Sequence, residues 1–349
     1  MEHDQDLPLF KDKLSMTPPM IIKNLTNSRS QNHNEQHHNP HNHHPIKPSP
    51  LYPLLRHPGH PLLHRRPNVF HHFSDVLIPL FLTSREFRPN SVAFLVVDTS
   101  PDFISKYKLI LNALSHHEII KTNNNNNENE VLCFQRVIAG LRSHNDLALP
   151  PKNPITDFTA FLRETYSLEK DLIDTCEKKG RRPRLLLVSR EETRRLRNER
   201  EVAKLAREIG FEASVRGIGL EDALVARMVN AFDVMVAVHG AGITNMVYLP
   251  ERAVLVQIVP IGLVGLGRVF YEEPSKGMNL RYLEYRVSVE ESSLSERYGV
   301  GDEVFRNTSS FKEKGWGVFK SIYMENQDVS VDLVKFRRVL VEAMELVCG

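Results

Sequence analysis

The stretch DVMVAVHGAGITN, residues 233–245, decides the fold of this 349-residue chain. Its first half, Val234 to Val238, is an unbroken apolar run rich in β-branched residues, which predicts a strand buried on both faces of a parallel sheet. His239 and two glycines follow at once, and we expect Thr244 and Asn245 to open a helix. Glycines after a buried strand let backbone N–H groups approach a ligand, and the start of a helix adds further N–H donors. The stretch therefore predicts a phosphate site, and the alternative is a tight turn with a hydrogen-bonded histidine.

Strand and helix patterns alternate on both sides of this stretch. The other predicted strands are Val92 to Asp98, Val131 to Phe134, Leu185 to Val188, Glu212 to Val215 and Val254 to Pro260. The main predicted helices are Asp102 to Leu114, Thr156 to Glu177, Glu199 to Ile209, Glu221 to Val229 and Val331 to Val347. Repeated strand–helix units of this kind predict doubly wound parallel sheets that bind ligands at the carboxyl ends of their strands.

The length and composition of the chain predict two folded domains after a disordered N-terminal segment. Residues 1–66 are rich in Pro, Asn and His, and they contain too little apolar surface to offset the entropy of folding. Their histidines form a low-complexity sequence with incidental metal affinity, which we favour over a metal site of fixed geometry. The charged segment Glu177 to Pro183 separates a predicted domain of residues 67–180 from one of residues 181–349.

Charge, cysteine content and motif searches exclude several functions. The net charge of +2 gives no reason to expect a nucleic acid partner, and three cysteines provide no disulfide framework. No stretch approaches the ~20 apolar residues that span a bilayer, so we expect no transmembrane segment in this chain. There is no P-loop, no His-Glu-x-x-His and no Gly-x-Ser-x-Gly. We expect neither a metal nor a bound cofactor.

A second loop lies at the same predicted sheet edge as the glycine loop. Ser189 to Arg194 follows the strand that ends at Val188. Arg190 and Arg194 can give charge-assisted hydrogen bonds to a diphosphate, while the glycine loop supplies backbone donors. Such a site can work without a metal ion. The alternative is that the arginines begin a solvated helix; we favour a binding role for Arg190 and leave both possibilities open for Arg194.

These two loops and several further motifs resemble those of plant glycosyltransferase family 61. The similarity runs in order from about Asn68 to Leu346. Its motifs are residues 70–81 (FHHFSDVLIPLF), Ser189-Arg190 with Thr193-Arg194 and Asn198, residues 239–250 (HGAGITNMVYLP) with Val254 to Pro260, residues 281–285 (RYLEY), residues 290–298 (EESSLSERY) and residues 326–329 (NQDV). Together these motifs are far more specific than one glycine loop.

The resemblance implies a GT-B-like α/β architecture, in which two Rossmann-like doubly wound domains face each other across a cleft. It also implies an inverting, metal-independent transferase in the Golgi lumen. The implied donor is a UDP-pentose, such as UDP-xylose or UDP-arabinofuranose. The implied acceptor is a hydroxyl group of cell-wall xylan or of the core of an N-glycan.

By position, the resemblance also implies roles for individual residues. The donor's diphosphate or nucleotide would bind to Arg190, Arg194, Gly240, Ala241, Gly242, Thr244 and Asn245, with Glu284 a candidate for the ribose or the sugar. Inversion needs an in-line attack by an acceptor hydroxyl, helped by a base within hydrogen-bond reach. The candidate bases, in our order, are Asp75 and His71 on the first domain and His239 on the second. Asp75 has an alternative role as the cap of a helix beginning at Val76.

Two departures from the family pattern support a non-catalytic rival, and a second rival is a different enzyme class. Glu191 stands where the family usually has a second arginine, and a carboxylate beside a diphosphate is expected to weaken donor binding. The His-rich segment stands where the family has a membrane anchor and a glycine-rich approach, so we expect a truncated or aberrant N-terminus. A non-catalytic relative that binds a glycan or a partner is one rival. An NAD-dependent Rossmann oxidoreductase is the other, although the glycine loop lacks the third glycine of that fingerprint.

Overall fold

In the computed structural model the chain is described over residues 52–55, 68–96, 101–121, 136–142, 144, 147, 154–173, 180–219 and 222–349. These residues form two units, each built on a parallel sheet. The first unit contains residues 52–55, 82–96, 112–121 and 136–142, and the other described residues belong to the second. The predicted α/β class with parallel sheets is confirmed. The chain enters each unit more than once, so the units are not divided at a single point near residue 180.

The sheet of the first unit has four parallel strands in the order β3-β2-β1-β4. They are β1 (Tyr52–Leu55), β2 (Leu95–Val96), β3 (Ile120–Lys121) and β4 (Val137–Ala139). β1 lies inside the segment predicted to be disordered, and that prediction was wrong for these four residues. Their Pro- and His-rich neighbours diluted the apolar signal of a short strand. The rest of that segment and the predicted strand Val131 to Phe134 lie outside the described residues.

The sheet of the second unit has five parallel strands in the order β6-β5-β7-β8-β9. They are β5 (Arg184–Ser189), β6 (Glu212–Gly217), β7 (Val234–Val238), β8 (Val254–Val259) and β9 (Arg281–Arg286). Every residue of β7 and β8 is buried, as the unbroken apolar runs predict. The strand order is that of a doubly wound sheet whose direction of winding reverses between β5 and β7.

Helices of three kinds connect and cover these strands. The α-helices are Val69–His71, Ile78–Ser84, Pro101–Lys106, Lys108–Leu114, Ile155–Tyr166, Glu199–Ile209, Asp222–Asn230, Val264–Gly267, Glu273–Gly277, Glu303–Arg306, Thr308–Glu313, Trp316–Phe319 and Leu333–Cys348. The π-helical turns are His72–Leu77, Arg268–Glu272 and Lys320–Glu325, and the 3₁₀ helices are Pro89–Ser91, Ala241–Tyr248 and Ser293–Glu296.

Two helix predictions illustrate where local patterns succeed and fail. The helix Glu199–Ile209 has the predicted bounds, and its left-handed C-cap is Gly210. The helix predicted to run from Thr156 to Glu177 ends at Tyr166 instead. Ser167 takes a left-handed backbone there, and its N–H bonds the carbonyl groups of Arg163 and Glu164, which closes the helix.

Residues 69–81 pack onto the second unit, although they come before the first unit's strand β2. Phe73 is fully buried, and its ring lies 6.0 Å from the ring of Tyr248 and 6.1 Å from that of Phe158. The placement of His71 and Asp75 on a first domain was therefore wrong, because these aromatic contacts join their segment to the five-stranded unit.

Several residues of the family-like motifs hold this unit together. The Asn198 amide exchanges two hydrogen bonds with the backbone of Val331, at 2.8 and 3.1 Å. Gln327 is buried and bonds Ile261 through both its N–H and its carbonyl, and Asp328 receives the side chain of Arg195. Because these polar groups are satisfied by the chain itself, we assign them a structural role.

Candidate functional site

Two loops leave neighbouring strands at the point where the winding of the five-stranded sheet reverses. β5 and β7 pair from Leu185 opposite Val234 to Leu187 opposite Val236. A crevice at the carboxyl ends of such a pair is where doubly wound proteins bind their ligands. The loop after β5 carries Arg190 and Arg194, and the loop after β7 begins at His239, so the structure brings the two predicted loops together.

The arginine loop folds inward. Arg190 Nε donates to the carbonyl oxygen of Thr193 at 2.8 Å, and Nη2 donates to its hydroxyl at 3.3 Å. Arg194 has a left-handed backbone with φ of 53°, and the residue is only 8% exposed. Left-handed backbone is unfavourable for a side chain of this size, so the packing around it must hold it there. The alternative of a solvated helix start was wrong, because the helix begins only at Glu199.

Gly240 lies directly against both guanidinium groups. A Cβ atom at this position would be 2.7 Å from Nη1 of Arg190 and 3.2 Å from Nη2 of Arg194. Its backbone, with φ of 150° and ψ of 175°, belongs to a region that only glycine adopts easily. Gly242 is less constrained, since its Cβ would make an ordinary contact of 3.6 Å with Val188. Gly240 is therefore the glycine around which the arginines pack.

The two guanidinium groups form a close pair of positive charges, in which Arg194 is buried and Arg190 is half-buried. Burial, followed by the charge of Arg190, lowers the pKa of Arg194 to about 10, so Arg194 remains protonated at neutral pH. Its Nε and Nη1 have no hydrogen-bond partner within the described ranges. Leaving a charged donor buried and unpaired is costly. The arrangement is that of a site prepared to receive an anion.

The helix after Gly240 begins at Ala241, three residues before the predicted start at Thr244, so that prediction was wrong. Thr244 and Asn245 are buried inside it, and the Asn245 side chain donates to the carbonyl oxygen of Gly242 at 2.9 Å. The first backbone N–H groups of a helix have no partner within the helix. The helix N–H groups without a partner inside the helix are therefore those of Ala241 and Gly242, which follow Gly240 directly, rather than those of Thr244 and Asn245.

His239 is buried and belongs to a chain of side-chain hydrogen bonds. Its Nδ1 lies 2.8 Å from Nε2 of Gln257, and the Gln257 carbonyl oxygen accepts from the Tyr282 hydroxyl at 2.8 Å. Burial, then the charges of Arg194 and Arg190, lowers the pKa of His239 to about 3. The imidazole is therefore neutral at physiological pH.

Tyr271 connects the hydrogen-bonded side chains of His239, Gln257 and Tyr282 to the segment that carries His71. Its ring packs edge-on against His239, with centroids 5.3 Å apart, and against Phe70 at 6.1 Å. Tyr271 also lies close enough to both arginines to affect the pKa of each guanidinium group. This tyrosine belongs to the π-helical turn Arg268–Glu272, and no sequence motif marks it.

His71 and Asp75 form a dyad on the π-helical turn. Nδ1 of His71 lies 2.9 Å from Oδ2 of Asp75, and the Ser74 hydroxyl donates to Oδ1 at 2.5 Å. The two side chains are 45% and 38% exposed, so solvent and substrates can reach them. Asp75 lies within the turn His72–Leu77, so the alternative role as the cap of a helix beginning at Val76 was wrong. A histidine whose Nδ1–H is held by a carboxylate presents Nε2 as a proton acceptor.

Glu284 lies on β9, opposite Gln257 of β8. Its carboxylate accepts a hydrogen bond from Arg286, and the Tyr282 hydroxyl lies 3.4 Å from its other oxygen. The carboxylate thus lies next to Tyr282, which is hydrogen-bonded to Gln257, but it is already paired with the cationic side chain of Arg286.

The described ranges contain neither a metal-binding cluster nor a helix that could span a membrane. No group of three or more His, Cys, Asp or Glu side chains in them could hold a metal ion. No helix among the described residues is both long and apolar enough to cross a membrane.

A known family model matches the part of the chain that carries both loops. The model described as Glycosyltransferase 61 matches residues 69–256. The chain belongs to glycosyltransferase family 61. This match covers His71, Asp75, both arginines and the glycine loop, and it confirms the resemblance seen in the sequence. The match ends at Val256, so Gln257, Tyr271 and Glu284 lie beyond it.

Curated relatives from plants extend the match. The chain is 38% identical over 287 residues to an alpha-1,3-arabinosyltransferase of Oryza sativa subsp. japonica, covering 80% of this chain and 48% of the relative. It is 37% identical over 287 residues to a beta-1,2-xylosyltransferase of the same organism, covering 80% and 61%. It is 32% identical over 295 residues to a xylan glycosyltransferase of Arabidopsis thaliana, covering 79% and 59%. The chain spans about half the length of the first of these relatives and about three-fifths of the other two.

Proposed function

We propose that this chain is an inverting pentosyltransferase that moves xylose or arabinofuranose from a UDP-sugar to a hydroxyl group of xylan. The names of the plant relatives support the sugar and the polysaccharide. The observation that carries the proposal is the pair Arg190 and Arg194, packed on Gly240, with Nε and Nη1 of the buried Arg194 unpaired among the described residues. A diphosphate fits this charge and this position at the switch point of the sheet. The core of an N-glycan is the alternative acceptor.

In the proposed reaction the arginines stabilise the leaving group. When the bond between the anomeric carbon and the β-phosphate oxygen breaks, negative charge grows on UDP. Donors that are already aimed at that position lower the barrier without reorganising. Two protonated arginines can supply the charge for which many transferases use a divalent metal ion, so we propose that the reaction needs none. Glu191 does not cancel this positive charge, because its side chain is exposed on the loop. Donor binding is therefore compatible with an acidic residue at this position.

We propose His71 as the general base and Asp75 as the residue that orients it. The acceptor oxygen attacks the anomeric carbon, its proton passes to Nε2 of His71, and UDP leaves with the bonding electron pair. This reverses the sequence-based order of the two residues, because both Asp75 oxygens already accept hydrogen bonds. His239 ranks last, since its Nδ1 lone pair is occupied by Gln257.

We also propose a GT-B-like arrangement for the whole enzyme. Its support is that both sheets are entirely parallel and that the anion site belongs to the C-terminal one. The family resemblance implies the same arrangement, in which the C-terminal domain holds most of the nucleotide.

The proposed compartment is the Golgi lumen. Cys348 is disulfide-bonded, and its two possible partners in the chain, Cys133 and Cys176, lie outside the described residues. Disulfides persist in oxidising compartments such as the secretory lumen. Asn307, in the glycosylation sequon Asn307-Thr308-Ser309, is exposed. Intact mass before and after glycosidase treatment, for the chain isolated from plant cells and for Ser309→Ala, would test this location.

A transfer assay, combined with calorimetric titration of UDP and NAD, separates the proposed function from its rivals. The purified chain is mixed with xylo-oligosaccharides or an N-glycan peptide, and with UDP-xylose or UDP-arabinofuranose, with and without EDTA. We expect pentose transfer to xylo-oligosaccharide that EDTA does not reduce. UDP binding without any transfer would support the non-catalytic relative, and NAD binding without UDP binding would support the oxidoreductase.

A further inference from the structure

Gln257 controls which nitrogen of His239 carries the proton. The Gln257 side-chain nitrogen faces Nδ1 of His239 at 2.8 Å. An amide nitrogen can donate a hydrogen bond but cannot accept one. Nδ1 must therefore be the acceptor, and the proton of the neutral ring must be on Nε2. The contact at one ring nitrogen thus decides the chemistry of the other.

The surroundings of Gln257 hold its amide in this orientation. The Tyr282 hydroxyl donates to its carbonyl oxygen at 2.8 Å. With the amide turned over, its N–H would donate to the Tyr282 hydroxyl, and that hydroxyl would have to donate to Glu284 at the longer distance of 3.4 Å. The observed orientation keeps the 2.8 Å bonds to Tyr282 and His239 without that longer contact. On the other side, a Cβ atom at Gly267 would be 3.0 Å from the Gln257 nitrogen, so the glycine leaves room for the amide.

The groups around His239 oppose its protonation. Arg194 and Arg190 lie on the side of the arginine loop, Tyr271 covers the ring from the π-helical turn, and Gln257 approaches from β8. Two of these four neighbours are cationic, and neither of the others is an acid. A second proton on the ring would have to lie beside two positive charges, of which that of Arg194 is buried.

We propose that Gln257 is a positioning residue that keeps His239 as a neutral Nε2–H donor for the diphosphate of the UDP-sugar. The identity of this anion rests on the proposed function, whereas the proton position does not. A neutral donor of this kind binds the diphosphate equally well across the physiological pH range. It also cannot accept the acceptor's proton at Nε2, which leaves the role of base to His71.

The proton position can be read directly by nitrogen NMR of the full chain labelled at histidine, with His239→Asn used to assign the resonance. Wild-type His239 should show a protonated Nε2 and a bare Nδ1 throughout the range from about pH 5 to pH 8. A proton on Nδ1, or a titration within that range, would overturn the inference even if UDP binds.

The second measurement uses Gln257→Glu. A carboxylate can only accept, so Nδ1 must now carry a proton and the pKa of His239 must rise. We expect wild-type affinity for UDP-xylose, measured by calorimetry without acceptor, to be constant between about pH 5 and pH 8. The affinity of Gln257→Glu should fall about tenfold as the pH rises, because deprotonation turns Nε2 into an acceptor that faces the diphosphate.

Each outcome has a separate meaning. Constant affinity of a folded Gln257→Glu variant across this range would overturn the positioning role. If that variant does not fold, as judged by circular dichroism, Tyr282→Phe tests the same series of hydrogen bonds. Loss of the Tyr282 hydroxyl frees the Gln257 amide to rotate, and His239 should then show a proton on either ring nitrogen. Failure of the wild-type chain to bind UDP-xylose would overturn the proposed function while the NMR result still decides the proton position.

Discussion

Replacing Gly240 by alanine tests whether the glycine loop is shaped around the arginines. The new Cβ would lie 2.7 Å from Nη1 of Arg190 and 3.2 Å from Nη2 of Arg194. Contacts between a Cβ and a nitrogen atom at 2.7 Å do not persist, so Arg190 must move. The backbone at φ of 150° adds a second cost, because side chains rarely adopt this conformation.

The size of the effect follows from these two costs. Backbone strain of this kind costs about 1–3 kcal/mol. Moving Arg190 also breaks its hydrogen bonds to Thr193, which adds about 1 kcal/mol. The Gly240→Ala variant should therefore lose about 2–4 kcal/mol of its free energy of unfolding. Losing one charged donor to the phosphate costs about 1.5–3 kcal/mol of binding, which weakens UDP affinity about 10- to 150-fold.

Urea unfolding measures the first quantity, and calorimetric titration with UDP measures the second. Gly265→Ala is the matched control, because a Cβ at Gly265 would have no atom within 4 Å and its backbone is not left-handed. We expect this control to match the wild type in both assays. The reasoning is refuted if Gly240→Ala unfolds within about 1 kcal/mol of the wild type and binds UDP within about twofold.

Three further predictions concern charge and protonation. Arg194→Met should raise the free energy of unfolding in urea by about 1 kcal/mol, because it removes a buried guanidinium whose Nε and Nη1 have no hydrogen-bond partner among the described residues. The same variant should lose UDP binding in calorimetry. Lower stability with unchanged UDP affinity would contradict this prediction. His71→Gln should lower kcat about 10²- to 10⁴-fold in the transfer assay, and Asp75→Asn should lower it less, both with wild-type affinity for UDP; loss of UDP binding would place the dyad in the donor site instead. Burial lowers the pKa of His72 to about 4 and that of His239 to about 3, below the value of 6.5 in the unfolded chain. At pH values between the folded and unfolded pKa the unfolded chain binds more protons, so stability falls as the pH falls. Urea unfolding should show a decrease of about 2 kcal/mol per histidine from pH 7 to pH 5. His72→Phe should remove about half of this decrease, and an unchanged pH slope in that variant would count against the assignment.

The parts of the fold that the sequence predicts well are those whose signal is local. β7 and β8 are buried on both faces, so their apolar runs alone identify them. The helix Glu199–Ile209 carries its own end signal in Gly210. In contrast, β1 is only four residues long and stands among Pro- and His-rich neighbours, so its short apolar signal does not identify a strand, which forms by pairing with β2 and β4.

The candidate site follows the same distinction. Arg190, Arg194 and Gly240 could be proposed from sequence because each follows a recognisable strand. Gln257, Tyr271 and Tyr282 could not, since their roles depend on contacts with His239 or with each other that arise only when distant segments pack. The dyad residues were proposed but assigned to the wrong unit, because sequence order suggested one domain and the aromatic contacts of Phe73 placed the segment on the other.

The central claim is that Arg190 and Arg194 hold the diphosphate of a UDP-sugar. Calorimetric titration of the full chain with UDP, uridine and NAD tests it most directly, with Arg194→Met measured in parallel. The account predicts that UDP binds, that uridine and NAD bind far more weakly, and that Arg194→Met binds UDP no better than uridine. Equal affinity for UDP and uridine, or UDP affinity that survives in Arg194→Met, would contradict it.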